Sequence, residues 1–338
     1  MNFDYNVSIA HFNSFAVPAY ADQLFVLNSI DQLPELVPVL AKCDNRLILG
    51  GGSNILLRDD FHGLVVINQL TGIHILEDYN NSVLLEVGAG ENWHDFVCWS
   101  IDNGYHGLEN LSLIPGTVGA APIQNIGAYG VEVEDYIDSL IAVDIQTNNI
   151  IKLEKTDCHF AYRESMFKQR PDQYLITSVR FKLPKHFSPM LTYSGIKEKL
   201  LESSLDPEAV TAKQISKAIC SLRSLKLPDP SLIGNAGSFF KNPVVSMQEY
   251  LLLKAHHPGI PMYRISDGSC KIPAAWLIDK CGFRGFRLDD AGVYEHHALV
   301  LVNYGKASGE QIWQLAKTIQ NAVKKMFGID LVPEPRIL

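Results

Sequence analysis

The chain has 338 residues, of which 47% are apolar and 20% charged, with a formal net charge of -8. That length allows two or three domains with cores of their own, and the composition is that of a folded globular protein. The acidic balance argues against nucleic acid or an anionic membrane as the main partner, so any phosphate site has to be local.

In chain order, a strand is predicted over 24–27, and Ser29 can cap a helix through 36–40, where Pro38 sits awkwardly. Short apolar strands at 46–49 and 64–67 flank the stretch Leu49-Gly50-Gly51-Gly52-Ser53-Asn54, making a small α+β unit. From about 70 to about 220 strands dominate. Residues 82–87 alternate, and 91–103 read as a helix with Trp93, Phe96 and Val97 on one side and Gly104 as its stop. A second glycine-rich stretch runs from Pro115 to Gly130, followed by strands at 139–144, 149–153 and 174–183. A helix over 207–222 leads into Lys226-Leu227-Pro228-Asp229-Pro230, a proline-flanked segment that marks the best domain boundary. Beyond it, 276–280 fit a short helix, 298–303 a buried strand and 308–327 the clearest helix in the chain. Ser308 and Gln311 form its capping box, Ile312, Leu315, Ile319, Val323 and Met326 line one face, and Gly328 ends it. The tail 329–338, with Pro333 and Pro335, fits an edge strand.

The six cysteines are scattered, with no C-x-x-C pair. Buried reduced thiols are expected rather than zinc or disulfides, and no metal site is expected. The residues Met1-Asn2-Phe3-Asp4-Tyr5 carry no secretory signal, and no apolar stretch is long enough to span a bilayer. A cytoplasmic location is expected.

Glycine permits positive φ and close approach of main chain to a ligand, and successive bare N–H groups form anion-binding concavities. Two such loops suggest a cofactor with an extended pyrophosphate, although each alone reads equally well as a tight turn. The Rossmann fingerprint fails, because its third glycine would fall on Ile55. A GxxxxGK phosphate loop fails at Val300, ahead of Gly305-Lys306. A serine-hydrolase elbow fails around Ser238, flanked by Ala236 and Phe240. His296 and His297 are adjacent, not spaced as a helix-face metal pair. Three polar residues remain in unusual settings: Ser238 after Gly237, Arg163 in Ala161-Tyr162-Arg163-Glu164-Ser165, and Glu334 between two prolines. Taken singly they also read as a turn serine, a surface ion pair with Glu164, and a solvated tail carboxylate.

The set LGGGSN, IPGTVGAAPIQNIGAYG, AYRES, KLPDP, NAGSFFKNP and VPEPRIL closely resembles the UDP-N-acetylenolpyruvoylglucosamine reductase family of peptidoglycan synthesis. The motifs stand in family order and cover essentially the whole chain, and Tyr193 looks like part of the substrate-capping loop of the type I subgroup. The resemblance implies an α+β FAD-binding fold of the p-cresol methylhydroxylase/vanillyl-alcohol oxidase type, in two subdomains, plus an α+β substrate-binding domain. These would span 1–69, with the tail 328–338 packed back on it, then 70–225 and 226–327. FAD would be held non-covalently by Gly50, Gly51, Gly52, Ser53 and Asn54 in the first loop. Pro115, Gly116, Thr117, Gly119, Ala120, Ala121, Gln124, Asn125, Gly127 and Ala128 would hold it in the second.

In the scheme the resemblance implies, NADPH reduces the flavin and departs, UDP-N-acetylglucosamine enolpyruvate enters, and hydride passes from flavin N5 to the vinyl carbon C3. Negative charge then develops at C2 and spreads into the adjacent carboxylate. Arg163 would grip that carboxylate, since its fork can hold two oxygens. Glu334 would act in protonated form, and Ser238 would give the proton to C2. Tyr129, Tyr162, Tyr193, Lys226, Asn242 and His297 would contact the sugar nucleotide. Ala120-Ala121 stand where many relatives have serine, and His297 where some have glutamine. A monomer acting on small molecules is expected. The competing readings are a flavin oxidase of the same fold, which often tethers its cofactor through histidine or cysteine, and a non-catalytic nucleotide-sugar binding module.

Overall fold

The computed structural model describes residues 1–193, 195–265 and 268–338. Within it the chain divides into two units, one made of Met1–Val7, Ala21–Gly52 and Phe61–Ser224, the other of Ser8–Tyr20, Ser53–Asp60 and Leu225–Leu338.

The first unit carries a four-stranded sheet in the order Asp4–Ser8, Tyr20–Leu27, Phe61–Asn68, Arg46–Leu49. The last three are parallel, with Leu24 and Leu47 both in register with Val65. The helix Leu33–Lys42 covers the sheet with Leu33, Leu36, Val37 and Leu40, the spacing of one helical face. Pro38 stays inside this helix. Both Pro38 and Pro34, whose carbonyl loses its donor, are exposed, so water can satisfy the free oxygen. Ser29 caps the preceding turn Ile30–Gln32 rather than the helix itself.

A five-stranded antiparallel sheet follows, in the order Asn149–Glu154, Ile137–Asp144, Tyr174–Pro184, Ser82–Gly88, Ile73–Asp78. Val83, Leu85 and Val87 face inward, against Trp93, Phe96 and Phe181. Asn92 caps the helix Trp93–Asp102, accepting from the N–H groups of His94 and Asp95. Val143, Ile145 and Leu175 pack with Phe25, Leu27 and Leu36, which joins the two sheets into one body. The edge strand Ile73–Asp78 is almost wholly exposed, so it carries no alternation that sequence reading could detect. The helix expected from 207 starts at Ala212, after a turn over Asp206–Ala209.

In the second unit the sheet order is Gly234–Ser238, Val300–Asn303, Ala291–Val293, Arg287–Leu288. The helix Gly309–Phe327 has the expected capping box, with the Gln311 N–H on Ser308 Oγ at 3.2 Å and the Ser308 N–H on Gln311 Oε1 at 2.9 Å, and Gly328 is left-handed at its end. Met326 is 48% exposed, and Phe327 rather than Met326 completes the buried face. The tail strand Arg336–Ile337 runs parallel to Ile55–Leu56. Of the cysteines only Cys158 and Cys270 are buried, and Cys98 is exposed, so the expectation of six buried thiols is too broad. No helix among the described residues is long and apolar enough to cross a membrane.

Candidate functional site

Each unit holds part of the residue set singled out from sequence. In the first unit the strand Arg46–Leu49 ends in Gly50 and Gly51, which lie directly on the second glycine loop. A Cβ at Gly50 would fall on the Thr117 hydroxyl, and one at Gly51 would sit 3.0 Å from Gly116 Cα. At Gly51 main chain thus faces main chain, and at Gly50 the Thr117 side chain already takes the space. Gly52 (φ 57°) and Gly116 (φ 121°) adopt conformations that favour glycine. Thr117 Oγ1 is buried with no hydrogen-bond partner among the described residues. A buried hydroxyl without a partner calls for a missing group, and an oxygen-rich ligand would supply one. Bare amides at two apposed loops plus that hydroxyl fit the phosphate-bearing part of a cofactor such as FAD. Gly119 has a different reason for its identity, since its Cβ would collide with Ala89. Ala121 is buried in the apolar core, with its N–H on the Thr117 carbonyl at 3.2 Å and its carbonyl accepting from the Ile126 N–H at 3.1 Å.

Arg163 sits at the tip of a tight turn closed by paired main-chain bonds between Ala161 and Glu164, at 3.1 and 3.0 Å. Its φ of 55° is unusual for a non-glycine residue, and Asn125 and Tyr129 in the second loop, and Leu113 just before it, share that conformation. Such outliers persist where the surroundings over-determine them. The guanidinium donates to the carbonyls of Asn125, at 3.2 Å, and Gly127, lies 4.0 Å from Glu132 Oε1 and stacks over the Tyr162 ring at 5.2 Å. Asn125 is fully buried, and its amide donates to Glu132 at 2.8 Å, Glu134 at 2.9 Å and the Ala161 carbonyl at 3.2 Å. The residue expected at the cofactor therefore ties the second glycine loop to the arginine turn.

Sequence reading missed Arg223, one turn before Lys226 on the helix Ala212–Lys226. Its Nε donates to the Leu113 carbonyl at 3.3 Å, and the Leu113 N–H donates to His94 Nδ1 at 3.0 Å. Burial pulls the guanidinium of Arg223 down from its usual value, and the like charge of Arg163 acts in the same direction. The same unit therefore brings Arg223 within electrostatic range of both Arg163 and Tyr129, and burial pushes the Tyr129 hydroxyl up. The i, i+3 spacing of Arg223 and Lys226 was the signal available.

In the second unit Ser238 ends a strand that has a register break between Asn235 and Ser238, where it pairs Val300. Gly237 (φ 67°) forms the bulge, and its N–H donates to Asn235 Oδ1 at 2.9 Å. The Asn235 amide in turn holds the carbonyls of Pro228, at 3.1 Å, and Ile233, at 2.8 Å. A bulge of this kind re-aims the side chain that follows it. The C-terminal tail runs beside this strand: the Glu334 N–H donates to the Phe239 carbonyl at 2.8 Å, and the Lys241 N–H to that of Val332 at 2.9 Å. Asn54 secures the tail from the other side, accepting from the Arg336 N–H at 3.0 Å and donating to the Glu334 carbonyl at 3.4 Å. Ser238 and Glu334 thus stand on paired neighbouring segments.

Asn242 accepts from the first N–H of the helix Ala274–Lys280 at 2.8 Å. His297 Nδ1 accepts from the Leu299 N–H at 3.3 Å, so the ring carries its proton on Nε2. Burial, assisted by the charge of Lys226, lowers its pKa and keeps it neutral.

A model of an FAD binding domain matches residues 21–154, the span that contains both glycine loops, and places the chain among flavin-dependent oxidoreductases. A model of the UDP-N-acetylenolpyruvoylglucosamine reductase C-terminal domain matches residues 229–338. Proteins named UDP-N-acetylenolpyruvoylglucosamine reductase from Polynucleobacter asymbioticus and Neisseria gonorrhoeae are 46% and 47% identical to it. They align over 98% and 99% of this chain, and over 96% and 97% of their own. The crystal structure of UDP-N-acetylenolpyruvylglucosamine reductase from Thermus caldophilus superposes with a TM-score of 0.67 at 23% identity, covering 99% of this chain and 98% of that one. The chain belongs to the UDP-N-acetylenolpyruvoylglucosamine reductase family, and the expected FAD-binding fold is the one it has.

Proposed function

We propose that this flavoenzyme reduces the enolpyruvyl group of UDP-N-acetylglucosamine enolpyruvate to the lactyl ether of UDP-N-acetylmuramate, with NADPH as donor, in peptidoglycan synthesis. The observation that carries this reading is the main-chain bond from the Glu334 N–H to the Phe239 carbonyl at 2.8 Å, which runs the tail alongside the segment that follows Ser238. The chemistry that FAD supplies when bound is the relay of a hydride from NADPH to the vinyl carbon C3. One proton must then reach C2 for the balance to close, leaving NADP⁺ and a saturated C2–C3 bond.

Gly50, Gly51, Gly116 and Thr117 hold the cofactor's pyrophosphate through main-chain donors and the threonine hydroxyl. Arg163 grips the substrate carboxylate, into which the charge arising at C2 spreads, and its fork suits two oxygens. Ser238 gives the proton to C2, and Glu334 assists at the same charge in its protonated form. Lys226 and Tyr193 take the diphosphate, and Asn242 and His297 donate to the sugar nucleotide, His297 from Nε2–H. The cofactor is bound without a covalent link.

The test separates the two half-reactions. Ser238→Ala should leave flavin reduction by NADPH intact, while reoxidation by the enolpyruvyl sugar nucleotide slows by about 10²–10³, the usual cost of losing a preorganised donor. Equal loss of both half-reactions removes Ser238 from the role. Acid precipitation should release all yellow colour into solution; colour retained on the protein would favour a tethered-flavin oxidase instead.

A further inference from the structure

Asn110 is among the most buried polar residues of the chain, 1% exposed, and none of the roles above uses it. It lies in the short turn Glu109–Leu111. Its single amide group donates to two carbonyls far apart in sequence, Tyr129 at 2.9 Å and Met190 at 3.0 Å. The first belongs to the second glycine loop. The second belongs to the irregular segment that carries Tyr193.

The platform under Asn110 is firmly tied. Trp93 Nε1 donates to the Leu111 carbonyl at 2.8 Å, the Ser112 hydroxyl donates to the Glu109 carbonyl at 2.7 Å, and the hydroxyls of Ser112 and Ser216 meet at 2.8 Å. By contrast, the described residues between Pro184 and Ile196 form no helix or strand. Phe187 rests on the His106 ring at 5.3 Å, and Phe187 and Leu191 pack on Ile196, Leu200, Ile215 and Ile219. At its far end the Tyr193 ring meets that of Tyr129 edge-on, with centroids 5.0 Å apart. Residue 130 is a glycine with φ 86°, and a Cβ there would come within 3.3 Å of the Thr192 hydroxyl. The segment therefore lies against bare backbone, and one buried amide fixes its height above Tyr129.

We infer that Asn110 is a positioning residue for binding of a nucleoside diphosphate sugar: by bridging the carbonyls of Tyr129 and Met190 it holds Tyr193 where the ligand's diphosphate is covered. This rests on the reading of Tyr193 given under the proposed function. Replacing the amide with a group that cannot donate leaves two carbonyls competing for water and frees the segment.

Asn110→Ala holoenzyme should show faster backbone amide exchange over 187–193 and a KM for the enolpyruvyl sugar nucleotide raised about tenfold, equivalent to ~1.4 kcal/mol. Flavin reduction by NADPH should stay unchanged, an outcome that a general loss of folding would not give. Should that variant not retain FAD, Gly130→Ala presses on the same segment from the other side and should move both readouts in the same direction. Unchanged exchange, or faster exchange with an unchanged KM, overturns the proposal. Tyr193→Phe in the same assay separates the causes. A raised KM there leaves Tyr193 as a ligand contact and removes only Asn110, whereas an unchanged KM removes the Tyr193 reading itself.

Discussion

Arg163 in the first unit is held by its head, and Ser238 in the second by its backbone. Each is organised by a buried asparagine. Asn125 joins Glu132, Glu134 and Ala161 beneath the arginine turn, and Asn235 joins Pro228, Ile233 and Gly237 beneath the serine bulge. The left-handed residue is Arg163 itself in one case and a glycine next to the serine in the other. The physical reason is reach. A guanidinium at the end of a flexible stem aims only if its donors are engaged, and the carbonyls of Asn125 and Gly127 engage them. A hydroxyl one bond from Cβ goes wherever the main chain points it.

This contrast can be broken by experiment. The largest effect is expected from Arg163→Lys, which keeps the charge but loses the fork. Reoxidation by the enolpyruvyl substrate should slow by about 10²–10³ in stopped flow while NADPH still reduces the flavin. A lysine that worked nearly as well would mean that charge alone, not held geometry, matters in the first unit. Next come the two asparagines. Asn125→Ala and Asn235→Ala should each cost about 1–3 kcal/mol in urea unfolding, because each leaves buried groups unpaired. Their kinetics should diverge: Asn125→Ala raises the KM of the sugar nucleotide through Arg163, and Asn235→Ala lowers kcat through Ser238. The same kinetic change in both would erase the distinction. Gly237→Ala should cost only about 1 kcal/mol, since its Cβ would meet nothing within 4 Å and only the left-handed backbone objects.

The smallest effect is spread over both units. Burial lowers the pKa of His94 and His106 in the first and of His297 in the second, each below the unfolded value of 6.5. The unfolded chain therefore takes up these protons first as pH falls. Stability is full above about 6.5 and is lost as pH drops from there towards the folded values. The raised pKa of buried Glu109 works in the opposite direction above its ordinary 4.5. Thermal melting should show a lower Tm at pH 5.5 than at 7.5, and His297→Gln should flatten part of that slope. A flat profile in the unsubstituted protein would show that these histidines stay charged on folding.

Legibility in the sequence differed by element, for identifiable reasons. The helix Gly309–Phe327 was readable because its cap, stripe and stop are all local signals, and only its last buried position was misplaced, at Met326 instead of Phe327. The strand Gly234–Ser238 was not, because four small residues and a bulge give no alternation, and its partner Val300 lies some sixty residues away. The helix Met247–His256 buries only Tyr250, so it has no apolar face to read.

The sequence by itself determined the family, through glycine runs and polar signatures whose order along the chain is specific, and with it the classes of cofactor and ligand expected. Tertiary structure alone decided that Gly50 abuts Thr117, that Asn125 binds the arginine turn, that Asn110 joins two loops, and that Glu334 pairs beside Ser238. Each of these is a contact between residues distant in sequence. No local propensity encodes such a pairing; it exists only once the cores have packed and the buried polar groups have found one another.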